Sequence, residues 1–267
     1  MEADKTNIKN QIKQSYGKIA QRGNQGCGDG CCSPNTQGKT SILSINDIST
    51  KLGYSPNDLE GMPNQANMGL GCGNPIAMAS LKEGETVLDL GSGGGFDCFL
   101  ARKQVKESGH VIGVDMTPAM IDLARKNSEQ LGYKNVEFRL GEIEHLPIEN
   151  DSIDVIISNC VINLSIDKPK VFQEAFRVLK HGGRVSISDI CATATLPTNI
   201  KEDLKMYTGC IAGAEEIGTI ETILKKAGFV DINIYPKDNS KEILKSWAPD
   251  KKVEDFVASF IIEVRKP

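Results

Sequence analysis

The chain has 267 residues, of which 39% are hydrophobic, 25% charged and 5% aromatic, with a formal net charge of −4. That length holds one large α/β domain, or a domain with a substantial appendage. The acidic balance and the scarcity of aromatic residues exclude a nucleic-acid groove, and no apolar run reaches membrane-spanning length.

The chain opens Met1-Glu2-Ala3-Asp4-Lys5, too polar for a signal peptide, so the expected compartment is the cytoplasm. Residues 4–22 carry Ile8, Ile12, Tyr16, Ile19 and Ala20 on one face, which predicts an amphipathic helix. Gly23 to Pro34 sets Cys27, Cys31 and Cys32 among glycines and reads as an irregular, mobile loop. Tyr54-Ser55-Pro56-Asn57-Asp58-Leu59 predicts a turn into a short helix. A second Gly-rich turn, Gly69-Leu70-Gly71-Cys72-Gly73-Asn74-Pro75, precedes the helix leading to the first strand. From Glu85 onward strand and helix alternate. Strands are predicted at 86–90, 110–115, 135–140, 153–158, 184–189, 230–235 and 256–265, and helices near 96–106, 117–131, 168–180 and 216–227. Thr117 is the expected cap of its helix, with Pro118 at the first helical position, and His181-Gly182-Gly183 is the expected stop of the next. The alternation predicts an α/β fold with a doubly wound, mainly parallel, seven-stranded sheet. A ligand belongs at the carboxyl ends of its strands, where Asp89, Asp115, Gly141-Glu142, Asn159-Cys160 and Asp189 fall.

The chemistry-bearing stretch is Val87-Leu88-Asp89-Leu90-Gly91-Ser92-Gly93-Gly94-Gly95-Phe96-Asp97. An apolar strand ends in an acid, and the glycines after it let the backbone turn sharply and approach a ligand closely. A dinucleotide fingerprint would need its third glycine at Phe96, so that match fails. The second strand ends in Asp115, 20 residues after Gly95, at the tip where a carboxylate can accept both hydroxyls of a ribose. His110, His145 and His181 open a strand, sit in a loop and end a helix, and no Ser-His-Asp set accompanies them, so an acid–base hydrolase is unsupported. Eight cysteines in a cytosolic chain are expected to stay as thiols that ligate a soft centre, do redox work or are simply buried. Cys98 and Cys191 read as small buried apolar residues. Cys160 stands at a strand tip, and Cys72 and Cys210 lie in small-residue segments. From the residues alone, a shared thiol site and three unrelated structural thiols both remain open.

Asp89-x-Gly91-x-Gly93-x-Gly95 resembles motif I of the S-adenosylmethionine-dependent methyltransferases. Taken with Gly69 to Pro75, Ser158-Asn159-Cys160-Val161-Ile162-Asn163-Leu164 and Gly209-Cys210-Ile211-Ala212-Gly213-Ala214, the chain resembles the arsenite methyltransferases from about Tyr54 to Gly213. That resemblance implies a Rossmann-like fold. It also implies a reaction moving a methyl group from S-adenosylmethionine to trivalent arsenic, for detoxification. It carries arsenic-binding thiols onto Cys72, Cys160 and Cys210, with an N-terminal partner among Cys27, Cys31 and Cys32, of which Cys32 is the expected catalytic one. Cofactor contacts carry over onto Asp89, Gly91, Gly93, Gly95, Asp115, Met116, Glu142, Ile143 and Asn159. The implied division is an N-terminal helix and cysteine loop over 1–70, a cofactor-binding core over 71–195 and an arsenic-binding part over 196–267, without the extra C-terminal region of longer members. Arsenic held by three thiolates keeps a lone pair that can attack the sulfonium methyl without a general base. A Cys32–Cys72 disulfide would then return the product to the trivalent state, with thioredoxin or glutathione as reductant. A monomer without nucleic-acid or membrane partners is expected. Two rival readings are a methyltransferase of another small metabolite and a zinc- or arsenic-sensing thiol protein. The second is weakened because Cys27-x-x-x-Cys31-Cys32 has no partner pair at zinc-site spacing.

Overall fold

A computed structural model describes residues 2–22, 44–238, 240–247 and 252–267. Cys27, Cys31 and Cys32, with the expected loop over 23–34, lie outside the described residues. Helix α1 (Glu2–Arg22) is followed by α2 (Ile45–Leu52), α3 (Pro56–Leu59) and α4 (Pro75–Ala79). Ser44 and Ser55 start α2 and α3 with reciprocal capping boxes to Asp47 and Asp58, which satisfies otherwise unpaired N–H groups. The alternating part runs β1 (Thr86–Leu90), α5 (Phe96–Val105), β2 (His110–Asp115), α6 (Pro118–Leu131), β3 (Val136–Leu140), β4 (Ile153–Asn159), α7 (Lys168–Val178) and β5 (Leu179–Ala192). The chain continues through α8 (Thr198–Lys201), α9 (Leu204–Thr208), α10 (Ile217–Ala227), β6 (Val230–Pro236), α11 (Ser240–Trp247) and β7 (Val257–Arg265).

The strands form one sheet in the order β3-β2-β1-β4-β5-β7-β6, parallel except for β7, which runs antiparallel to both its neighbours. Side chains alternate between its two faces, and both faces of the central strands β1, β2 and β4 are covered, which is why those strands are largely apolar. Leu88, Leu90, Ile112 and Ile156 pack on Phe172 and Val178 of α7. Val87, Val111, Val155 and Ile157 pack on the other side with Phe99 of α5 and Ile121 of α6. Strand order reverses between β1 and β4, so their carboxyl ends diverge into a crevice.

Two local expectations are corrected. α7 ends at Val178, and Gly182 caps nothing. Its left-handed conformation (φ 77°) instead turns an excursion inside β5, where Leu179 pairs with Ile153 and Arg184 with Val155. β5 accordingly begins at Leu179, five residues before the expected 184, and runs to Ala192. Thr117 is the N-cap of α6 with Pro118 in the first turn, as expected, but its side chain makes no capping bond, and its own N–H is taken by the carboxylate of Asp115 (2.8 Å).

Candidate active site

An open cleft of about 1230 Å³, counting the solvent in its mouth, lies at the reversal point. Asp89, Gly91, Gly93, Asp115, Met116, Ile143, Asn159, Cys160 and Cys210 all line it, so the expected cofactor and thiol positions share one cavity. Gly93 donates its N–H to Asp115 (3.0 Å), which ties the glycine loop to the tip of β2. Gly91 (φ 74°) must be glycine because a Cβ there would lie 2.3 Å from Val161, in the segment after Cys160. α1 contributes Lys9, Ile12 and Tyr16 to the cleft.

Gly95, Glu142 and Cys72 do not line it. A Cβ on Gly95 would strike the rings of Phe99 (2.7 Å) and Phe138 (2.8 Å), so this glycine serves core packing. Glu142 is engaged by Lys9 (2.8 Å) and Lys13 (3.1 Å) of α1, and that pairing holds its carboxyl below the usual range. Cys72 is fully buried behind Cys160.

One side of the cleft is a nest of buried acids. Asp89 is 3% exposed and accepts from the Cys98 thiol (3.3 Å), so Cys98 is buried but not merely apolar. Asp97 accepts from the Tyr54 hydroxyl (2.7 Å) and from the Asn159 amide (3.3 Å). Burial pushes the Asp97 carboxyl up to about 6, against the pull of those two donors. Burial, and then the neighbouring Asp97 charge, pushes Asp89 well above the usual carboxylate range. Burial also raises Asp115, against the N–H groups of Thr117 and Gly93. Among the described residues the ion pairs include no cation beside Asp89 or Asp97. A cationic group entering the cleft would supply the missing countercharge.

Sulfur lies on the other side. Cys72, Cys160 and Cys210 belong to one apolar cluster with Ile12, Leu164 and Ile190. Cys72 and Cys160 are joined in a disulfide with Cα atoms 5.9 Å apart, which corrects the expectation that all the cysteines stay as thiols. The cause is convergence: the side-chain oxygen of Asn159 accepts the Cys72 N–H (3.0 Å), and the Cys160 N–H donates to the Ser188 carbonyl (2.8 Å) on β5. The Cys210 thiol donates to the Cys160 carbonyl (2.8 Å). The Cys72 and Cys160 sulfurs and a carboxylate oxygen of Asp189 lie within 4.8 Å of one another. Asp189 nevertheless is a poor ligand, because both its oxygens are already occupied. One accepts from the N–H groups of Ile162 (2.9 Å) and Asn163 (3.4 Å), the other from Ile190 N–H (2.7 Å) and the Asn163 amide (3.0 Å).

Sequence reasoning missed Tyr54, Asp97, Asn163 and the cleft-lining residues of α1. Asp97 and Asn163 stood inside the quoted motifs, but their partners are 43 and 26 positions away, a distance no local pattern encodes.

A family model described as a methyltransferase domain matches residues 81–228. The chain is 45% identical to an arsenite methyltransferase of Halobacterium salinarum over 99% of its own length and 68% of that relative's. It is 40% identical to the human arsenite methyltransferase over 60% of its length, spanning 44% of the human chain. Its structure resembles that of an arsenic(III) S-adenosylmethionine methyltransferase from Chlamydomonas reinhardtii with a TM-score of 0.62 at 32% identity, covering 85% of this chain and 75% of that one.

The buried acids make stability depend on pH in a defined direction. Asp97 and Asp189 are raised from 3.8 to about 6 in the fold, so the folded chain binds more protons than the unfolded one between those values. The contribution of these two groups to stability therefore falls as pH rises from about 4 to about 6. Thermal melts across that range should show the decline, and Asp97→Asn should make it shallower; an unchanged slope would mean that Asp97 ionises normally.

Proposed function

The chain belongs to the arsenite methyltransferase family, and on that premise we propose that it moves a methyl group from S-adenosylmethionine to trivalent arsenic held by Cys72, Cys160 and Cys210. The observation that carries this reading is the meeting of three cysteines from three separate segments beside a cleft whose other side is rich in buried acids. S-adenosylmethionine supplies an electrophilic methyl on a sulfonium. In this reading Asp89 and Asp97 would hold its ammonium group, Asp115 would accept the ribose hydroxyls, and Met116 and Ile143 would offer apolar walls to the base; all five line the cleft. Glu142 would reach a ligand only by giving up its pairs with Lys9 and Lys13.

The disulfide form cannot hold arsenic through Cys72 and Cys160. Two electrons and two protons from a thiol reductant, either thioredoxin or glutathione, convert it to two thiols. Three thiols then condense with arsenite and release three waters, leaving a neutral centre with one lone pair. That pair attacks the methyl in line, so the step needs no general base, and the protein contributes position and exclusion of water. Arsenic is now positively charged and has lost its lone pair. Formation of a sulfur–sulfur bond between Cys72 and Cys160 breaks two arsenic–sulfur bonds and returns one electron pair to arsenic. Water fills the vacated position and loses a proton. The structure's own disulfide supports this pair in place of the expected Cys32–Cys72 bond, whose first member lies outside the described residues. We place the enzyme in the cytoplasm as a monomer acting in arsenic detoxification; among the described residues no helix is long and apolar enough to cross a membrane.

Asp115→Ala should weaken S-adenosylmethionine binding by about tenfold or more, since a lost hydrogen bond to a charged group is worth roughly 1.5–3 kcal/mol. Wild-type affinity by calorimetry would remove Asp115 from the site. The thiols separate by counting. Cys160→Ser and Cys210→Ser should abolish methylation of arsenite and of monomethylarsenite alike, because a serine hydroxyl is a hard, weak ligand for arsenic. Cys72→Ser should lose arsenite yet still transfer a methyl to monomethylarsenite, which needs only two thiolates, in a single turnover, because the Cys72–Cys160 disulfide that closes each cycle can no longer form. A well-folded Cys72→Ser enzyme that methylates arsenite at the wild-type rate would disprove the three-thiolate assignment, and methylation of other small metabolites by cysteine variants would favour the rival methyltransferase.

A further inference from the structure

Seven non-glycine residues have positive φ among those described, and five of them are exposed. The two buried ones are Cys160 (φ 55°) and Cys210 (φ 63°). Cysteine has no intrinsic liking for the left-handed region, so surrounding structure imposes it at both positions. The group that joins the two segments is a pair of buried side chains, Asn163 and Asp189, 2% exposed each. Asp189, on β5, gathers three N–H groups from Ile162, Asn163 and Ile190 and one amide bond from Asn163. The same Asn163 amide reaches the carbonyls of Ile190 and of Cys210 (3.2 Å for the latter). The segments are packed closely enough that a Cβ on Gly213 would lie 2.1 Å from the Asn163 carbonyl oxygen. Neither Asn163 nor Asp189 lines the cleft.

We infer that Asn163 and Asp189 are positioning residues that fix the backbones of Cys160 and Cys210 in the conformation that brings both sulfurs onto one arsenic atom. The inference rests on the reading that these cysteines hold the substrate. Asn163 bonds to the Cys210 carbonyl while its own N–H and that of Ile162 are held by Asp189, so the two cysteine turns cannot drift apart independently. Because the pair stands off the cleft, its loss is felt by arsenic and not by the cofactor.

The test uses the full chain, reduced with thiol, as wild type and as Asn163→Ala, with Asp189→Asn as the second variant. Arsenite affinity and S-adenosylmethionine affinity are each measured by calorimetry, and the sulfur count around bound arsenic by X-ray absorption. Both variants should bind arsenite about tenfold or more weakly, as outer-shell changes do at metal sites, while S-adenosylmethionine affinity stays within about twofold. The arsenic shell should change from three sulfurs to two sulfurs and an oxygen. A variant that keeps the three-sulfur shell at wild-type affinity overturns the inference, and so does parallel loss of both affinities, which would mark general damage to the fold. If the wild-type arsenic shell contains no sulfur, the substrate-site reading fails first and the inference falls with it.

Discussion

The side chain of Asn159 joins the two halves of the cleft, and most of the site's geometry depends on it. From the end of β4 it accepts the Cys72 N–H and donates to the Gly73 carbonyl (2.8 Å), to the Tyr54 hydroxyl (3.0 Å) and to Asp97. One amide thus fixes a sulfur-bearing turn and a buried acid together. Gly71 (φ 113°) allows the close fit, since a Cβ there would sit 2.7 Å from the Asn159 amide. A buried donor or acceptor left unpaired costs roughly 1–3 kcal/mol, so releasing Asn159 would penalise several groups at once.

The two sides have complementary electrostatics. Buried carboxyls face the place where a cation belongs, and apolar packing surrounds the sulfurs, where a neutral, soft centre belongs. The reaction proposed for this cleft transfers a methyl from a cationic donor to an uncharged acceptor. A site without a catalytic histidine suits that chemistry, because no proton has to be removed at the transfer step. In the proposed reaction positional control replaces acid–base machinery, and the buried left-handed turns at Cys160 and Cys210 are where the proposal locates it.

Much of the fold could be read in advance because it rests on local signals. Apolar strands, the glycine loop and acids at strand tips each follow from short-range pattern, and Asp89, Asp115 and Cys160, expected at strand tips, line one cleft. What escaped depends on long-range pairing. Gly95 looks like its neighbours in the loop, yet two core rings decide its identity. Gly182 stands where a helix stop is expected, but its N–H bonds to Lys266, 84 residues on. The Cys72–Cys160 disulfide spans 88 residues, and only the folded sheet brings its ends together.

The most direct test of the central claim is to incubate the purified, thiol-reduced protein with arsenite and S-adenosylmethionine carrying a labelled methyl group, and to speciate the arsenic. The account predicts labelled methylarsenic species, one S-adenosylhomocysteine for each methyl transferred, and arrest when the thiol is omitted. Arsenic recovered unmethylated from a protein that binds both ligands would contradict it.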